Sequence, residues 1–372
     1  MGMNKNLLYI GDVPSIILTG KDVANKHNYL ILNKIFGEKC RVVSLGIPSL
    51  FEKTCLYSGG LTREIECKIL ELIDGNNIDV VFLSTSALGR VARSIKKRYP
   101  NVMIISFYHN IEKYYAKEQI KVSGIKKIFT YINLSFNESL TSHYADFHVV
   151  LNKRDASLLN QYYGKEADLI VPINYEDRFI KHFSNTSNND PKVALFVGSA
   201  FYANVEGIKW FLKEVKPFIN SRLIIVGKGM EKYVEEFRCD GVDVLGFVED
   251  LDELYAQADY VVLPIFSGGG MKTKTAEALM FGKTVLGTKE AFEGYENMDD
   301  SFAIECNDSS SFIGAIKIIE ASASGNTFNP EARSYYLRKC SFDAVMYRWN
   351  AFFTSIILEK ANRNDFNNNS NL

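Results

Sequence analysis

"ADYVVLPIFSGGGMKTKTAEALMFGKTVLG", residues 258–287, is the stretch on which the fold turns. The apolar run ADYVVLPIF reads as a buried parallel strand, and SGGG as a loop whose tip has almost no side chain. MKTKTAEALMF has helical character, and Gly282 stops it before the next apolar run, KTVLG. This is one strand–helix–strand unit. Its helix begins at the carboxyl edge of a parallel sheet, where open α/β sheets take their ligands. Backbone N–H groups there favour an anion such as phosphate, and Gly268, Gly269 and Gly270 allow close backbone approach. Lys272 and Lys274 add mobile positive charge. Glu277, three residues past Lys274 on the same helical face, suits vicinal hydroxyls such as those of a ribose, because a carboxylate accepts two hydrogen bonds. Phosphate together with ribose means a nucleotide. The competing reading makes Lys274 and Glu277 a solvated i,i+3 ion pair and the glycines a plain turn.

The same alternation extends in both directions. NLLYIGD, KCRVVSLG, IDVVFLSTS, NVMIISFYH and FHVVLN read as strands of a first parallel sheet. KVALFVGS, RLIIVGKG, DVLGFVED, ADYVVLPIF, KTVLGT and SFAIEC read as strands of a second. Each run is separated from the next by room for a helix, the signature of doubly wound α/β sheets. The 372 residues suit two domains rather than one core. The expected division is an N-terminal Rossmann-like domain over 1–172, a Ser/Asn/Asp-rich linker over 173–191 and a C-terminal Rossmann-like domain over 192–340. The helix 341–360, apolar at Phe342, Val345, Met346, Trp349, Phe352, Phe353 and Ile356, is expected to return to the first domain, and the Asn-rich tail 361–372 to be disordered.

A composition of 47% hydrophobic and 23% charged residues excludes disordered, fibrous and membrane-spanning classes. The net charge of -1 conceals an asymmetry: residues 1–172 carry 22 Lys and Arg against 16 Asp and Glu, leaving 21 against 28 for the remainder. Cys40, Cys55, Cys67, Cys239, Cys306 and Cys340 lie far apart without a C-x-x-C pair, so they read as reduced, mostly buried thiols. The N-terminal apolar run is broken too early for a signal peptide, Asn6 stands where a myristoylation signal wants Ser or Thr, and a cytoplasmic location is expected, with weak peripheral contact at the inner face of the membrane.

Residues 245–296, with FVGSAFYANVEGIKWFLKEVKP, resemble the donor half of a retaining glycosyltransferase of family 4. The resemblance implies the GT-B fold, two Rossmann-like domains facing each other across a cleft, and transfer of a sugar from a nucleotide diphosphate sugar to an acceptor hydroxyl. The family has two glutamates separated by seven residues. Glu277 matches the second and Gly269 stands at the first, as in a subgroup with glycines followed by basic residues. The Arg and Lys common after the first strand of this domain are absent, with Ser199 and Glu206 near their places, which leaves Lys272 and Lys274 to neutralise the diphosphate. The resemblance further implies that Phe247 and Val248 border the base and that the loop at Glu293 and Gly294 closes on the nucleotide. Gly198, Lys228 and Met271 complete the candidate donor site. No metal site and no cofactor beyond the donor substrate are expected.

In the first domain, His109 and Asn110 follow a strand at its carboxyl end. A lone histidine is more often structural, but the family commonly places one here, at the donor sugar and acceptor hydroxyl. Gly20 matches one of two glycines expected to face the diphosphate, and Lys21 stands at the other. Residues 111–133 interleave five lysines with Tyr, Ile and Phe, which suits either an anionic membrane surface and a glycan or lipid-linked acceptor, or a solvated helix face. The family points to bacterial surface polysaccharide or glycan assembly, with no nucleic-acid partner. Two other classes share the expected fold: a sugar nucleotide epimerase, and a non-catalytic nucleotide-sugar-binding protein, the latter suggested by the absent first glutamate.

Overall fold

The computed structural model describes residues 5–16, 19–123, 127–179, 191–322 and 328–369, with side chains at 121–123 and 357–369 outside that description. The chain divides into two units. One comprises Met1–Ser15, Ala24–Pro172 and Phe342–Leu372, and the other Ile16–Val23 and Ile173–Ser341. Residues 180–190 of the expected linker lie outside the described residues.

The first unit holds a sheet of β1 (Leu7–Ile10), β2 (Cys40–Val43), β3 (Val80–Leu83), β4 (Met103–Tyr108), β5 (Phe147–Val150) and β6 (Leu169–Ile170), in the order β2-β1-β3-β4-β5-β6. Every pairing is parallel. Its helices are α1 (Gly20–Phe36, whose first turn groups with the second unit), α2 (Leu50–Thr54), α3 (Arg63–Asn76), α4 (Gly89–Arg98), α5 (Glu112–Ser123), α6 (Ile128–Tyr144) and α7 (Lys153–Tyr163). Helices on both faces explain why β1, β3 and β4 read as unbroken apolar runs: all their residues are buried.

The second unit repeats the plan with β7 (Val193–Val197), β8 (Arg222–Val226), β9 (Val242–Leu245), β10 (Tyr260–Leu263), β11 (Thr284–Gly287) and β12 (Ala303–Glu305), ordered β12-β11-β10-β7-β8-β9 and again parallel. Around it lie α8 (Tyr202–Glu214), α9 (Asp252–Gln257), α10 (Thr273–Met280), α11 (Ser309–Ala321) and α12 (Pro330–Lys339). Strand order reverses between β7 and β10, so the loops leaving these two neighbours diverge and open a crevice at their carboxyl ends. That crevice receives the glycine- and lysine-rich stretch.

A last helix, α13 (Phe342–Asn369), belongs to the first unit. Phe342, Val345, Trp349, Phe352, Phe353 and Ile356 are buried along one stripe. Trp349 meets the Phe82 ring of β3 edge-on at 5.8 Å, and Phe353 meets Phe36 of α1 at 5.2 Å. The assigned helix runs to Asn369, into the tail for which disorder is expected, and residues 370–372 lie outside the described residues.

Two sequence expectations need correction. The first sheet has a sixth strand, β6, which was not among the strands read from the sequence, since two residues are too few to show a pattern. The six cysteines are free but not mostly buried: Cys55, Cys67 and Cys239 are exposed and Cys40 half-buried. Cys67 sits among the outward positions of α3 and Cys55 closes α2, a helix that buries nothing, so neither site draws its thiol inward.

Candidate nucleotide-sugar site

The loop between β10 and α10 needs glycine at specific points. Gly268 and Gly270 have φ of 150° and 60°, where side-chain-bearing residues are strained. At Gly198, which ends β7, the need is for space: a Cβ there would lie 2.7 Å from Lys274 Nζ. The two loops of the crevice therefore touch through a glycine and a lysine.

Lys274 Nζ donates to Asn204 Oδ1 at 2.6 Å and lies 4.7 Å from the centre of the Phe196 ring. Burial, with Lys272 nearby, pushes its amine down to about 7, against an opposing pull from Glu277. Lys272 caps α10 without a side-chain cap bond; its amine pairs with Glu290 Oε1 at 2.7 Å and donates to Gly270 O at 3.1 Å. Tyr295 fastens the start of α10 by donating to Lys272 O at 2.6 Å and accepting from Ala276 N at 3.1 Å. Thr275 Oγ1 donates to Ala291 O at 2.7 Å. The loop 290–295 thus holds the helix N-terminus in place.

Glu277 is buried, and both carboxylate oxygens are engaged. Arg178 Nη2 donates to Oε1 at 3.0 Å and the Tyr255 hydroxyl to Oε2 at 3.2 Å. Burial raises the Glu277 carboxyl above its ordinary range, opposed chiefly by the Arg178 charge. The solvated ion pair weighed from sequence is therefore not the role of Glu277. A ribose would have to share or displace these partners. Of the remaining candidates, Gly20 approaches Thr273, whose Cγ2 would lie 3.0 Å from an added Cβ. Met271 is buried, Lys21 and Lys228 are exposed, and Lys228 O accepts from Ala200 N at 2.9 Å. Phe247 is 57% exposed beyond β9, with Val248 half-buried beside it. Glu293 N donates to Glu290 O at 3.3 Å, and Gly269 lies in the same loop as Gly268 and Gly270.

Arg178, Asn204, Tyr255, Glu290 and Tyr295 escape sequence reasoning. Arg178 stands in a stretch that reads as linker, and Asn204 in a helix that shows only an apolar stripe. Tyr295 belongs to the loop singled out for Glu293 and Gly294, and a tyrosine two residues from a candidate glutamate was the available signal.

In the first unit, His109 follows β4. Its Nε2 lies 2.9 Å from Asn25 Oδ1 and its ring meets Phe107 edge-on at 5.0 Å. An oxygen acceptor at Nε2 fixes the proton there and makes Nδ1 the basic nitrogen. Asn110 Oδ1, next along the chain, is buried with no hydrogen-bond partner among the described residues, a demand that a ligand hydroxyl can meet. The following helix is set by Glu138, buried, whose oxygens accept from Glu112 N at 2.8 Å, Lys113 N at 3.0 Å, Ser86 Oγ at 2.9 Å and Tyr163 OH at 2.8 Å. Despite these four donors, burial raises its carboxyl.

With this geometry established, the chain can be set beside known proteins. Residues 191–321 match the family described as glycosyl transferases group 1. That match covers the crevice and both of its loops. No curated protein sequence matches the chain. Among solved structures, sucrose-phosphate synthase from Thermosynechococcus elongatus superposes with a TM-score of 0.75 at 14% identity, over 95% of this chain and 100% of that one. Anabaena HepE, in its complex with UDP-glucose, superposes with a TM-score of 0.66 at 14% identity, over 94% of this chain and 99% of that one. The lipopolysaccharide outer core galactosyltransferase WaaB gives a TM-score of 0.66 at 12% identity, over 94% of this chain and 99% of that one. The fold is that of GT-B glycosyltransferases, with two six-stranded parallel sheets flanked by helices.

Proposed function

We propose that the protein transfers a sugar from a nucleotide diphosphate sugar to an acceptor hydroxyl, with retention of configuration and without a divalent cation. The observation that carries the reading is the convergence of Gly198, Lys274 and the N-terminus of α10 at the crevice between β7 and β10, within the region that matches group 1 glycosyl transferases. A helix N-terminus and two lysines are the groups that stabilise charge developing on a departing diphosphate. Glu277 is assigned to the ribose, with Arg178 keeping its buried carboxyl ionised. His109 and Asn110 are assigned to the donor sugar and acceptor hydroxyl. A phosphate oxygen of the leaving group serves as base toward the incoming hydroxyl, which attacks on the leaving-group face and so retains configuration. Bacterial surface polysaccharide or glycan assembly is the process we favour, on the strength of the family resemblance.

UDP-sugars are the first donors to test, since one structural neighbour is a complex with UDP-glucose. Incubation with UDP-, GDP- and ADP-sugars, with and without a mixture of glycan acceptors, distinguishes the candidate classes. A transferase releases nucleoside diphosphate in step with acceptor glycosylation. An epimerase isomerises the donor without acceptor, and a binding protein leaves it unchanged; either outcome overturns the proposal.

A further inference from the structure

Helix α6 is built inside out. Its buried side chains include Asn133, Asn137, Glu138, Thr141 and Ser142, while Phe129, Ile132 and Phe136 lie exposed. Surface helices of globular proteins do the reverse. The polar inner face is accounted for: Asn133 Nδ2 donates to Tyr57 O at 3.1 Å, Asn137 Nδ2 to Leu56 O at 2.9 Å and Thr141 Oγ1 to Ser86 O at 2.7 Å, and Glu138 caps α5. Packing among the described residues of the first unit gives no such account of the apolar outer face.

Helix α2 has the same character. It buries no residue, and Leu50 and Phe51 are 82% and 76% exposed, with Ile47 just before it at 89%. The helix is nevertheless firmly held. Ser49 and Glu52 form a reciprocal capping box, and Glu52 also accepts from Arg63 N at 2.8 Å. Asn133 and Asn137 bind backbone carbonyls at the end of α2, so α2 and α6 are neighbours and their apolar side chains share one region of surface. Lys53 on α2, Lys113 and Lys117 on α5 and Lys127 at the start of α6 are the described lysines here, Lys113 lying 5.1 Å over the Tyr162 ring, with Glu52, Glu112 and Glu118 half-buried among them; Lys126 and the side chain of Lys121 lie outside the described residues.

We infer that this surface docks on an anionic lipid bilayer. Phe51, Phe129, Ile132 and Phe136 would enter the headgroup–acyl boundary while the lysines meet lipid phosphates, the arrangement by which interfacial helices bind. No helix among the described residues is long and apolar enough to cross a membrane, so this is seating on the surface, not insertion across it. Charge favours the bilayer over a second copy of the chain: residues 1–172 carry 22 Lys and Arg against 16 Asp and Glu, and a two-fold contact would set the same lysines against one another. Both α2 and the first half of α6 lie toward the carboxyl edge of the first sheet, the edge that carries His109. That the acceptor is lipid-anchored follows from this placement and rests on the proposed transfer; the docking itself does not.

Co-sedimentation of the full chain with phosphatidylcholine vesicles, plain or containing about one-third phosphatidylglycerol, tests the docking. The protein should pellet with the anionic vesicles, less at raised salt, and much less with phosphatidylcholine alone. Combining Phe51→Glu, Phe129→Glu and Phe136→Glu should lower the bound fraction about tenfold or more, with the thermal midpoint and UDP affinity unchanged, because these side chains are exposed. Phe129→Glu alone should give a partial loss in the same direction. Absence of pelleting, pelleting indifferent to these substitutions, or a concentration-dependent dimer in sedimentation velocity that they dissolve would overturn the inference.

Discussion

Raising the pH through neutrality should weaken nucleotide binding while stabilising the fold, because both effects act through Lys274. Its amine, held against Asn204 and the Phe196 ring, is pushed down to about 7, first by burial and then by Lys272. A diphosphate favours the ammonium form and raises the amine's pKa on binding. Affinity is therefore fully developed below about pH 7 and falls by up to roughly tenfold per pH unit above it, until the pKa of the complex is reached. The stability effect has the opposite sign. The folded pKa lies below the ordinary lysine value, so above about pH 7 the unfolded chain binds more protons than the folded one, and this group's contribution to stability rises with pH until the unfolded lysine titrates near 10.5. Titration calorimetry with UDP at several pH values, in two buffers of different ionisation enthalpy, reads both affinity and proton uptake. Uptake of a fraction of a proton above about pH 7, lost in Lys274→Met, is the expected result. Flat affinity between about pH 6.5 and 8.5 without proton uptake would show that the amine is charged throughout and that the argument from burial fails.

Glu277→Gln keeps shape and removes charge, so UDP should bind about 1–3 kcal/mol more weakly, roughly 5- to 150-fold; unchanged affinity would remove Glu277 from the ribose. Arg178→Gln should raise the Glu277 carboxyl further, so that nucleotide affinity is lost at higher pH than in the parent as the solution is acidified; coincident pH profiles would refute this coupling. His109→Ala should cut turnover by about a hundredfold or more while UDP affinity stays nearly constant, the pattern of a group that acts in the transition state. Activity should survive a strong chelator, whereas Lys272→Ala with Lys274→Ala should reduce turnover by roughly 10²–10³. An enzyme silenced by chelation and restored by magnesium or manganese would refute the role given to the lysines.

What could be read from the sequence follows from which interactions are local. The strands β1, β3, β4, β7, β8 and β10 are buried on both faces and declare themselves as apolar runs, whereas β6, with two residues and partial exposure, leaves no pattern. Gly268, Gly270, Lys272 and Lys274 were legible because a loop conformation, a helix start and its charges lie within a few consecutive residues. The partners that set their chemistry were not: Arg178 reaches Glu277 across 99 positions and Asn204 reaches Lys274 across 70. Burial also cannot be read from periodicity alone. In α6 the apolar stripe faces outward, because Asn133, Asn137, Glu138 and Thr141 are needed inside to satisfy backbone groups of neighbouring segments, a demand that no local pattern reveals.

Gly269, at the position where the resemblance to family 4 leads one to expect a glutamate, acquires a physical sense from Glu290. That residue already sets a carboxylate 2.7 Å from Lys272, with both side chains largely shielded from water. A second carboxylate at 269, in the same short loop, would compete for the same cation and add negative charge where the proposed diphosphate would bind. Glycine there avoids the repulsion and leaves the loop free for the φ values its neighbours adopt. The charged side chains around α10 are also paired within the protein: Lys272 with Glu290, Glu277 with Arg178 and Tyr255, and Lys274 with Asn204. An unpaired buried charge is costly, so these groups are paired before any ligand arrives, and a nucleotide bound as proposed would exchange partners rather than fill vacant bonds. Affinity is then a difference between two sets of contacts, and substitutions at Arg178 or Glu290 should alter it as much as substitutions at the groups that touch the ligand.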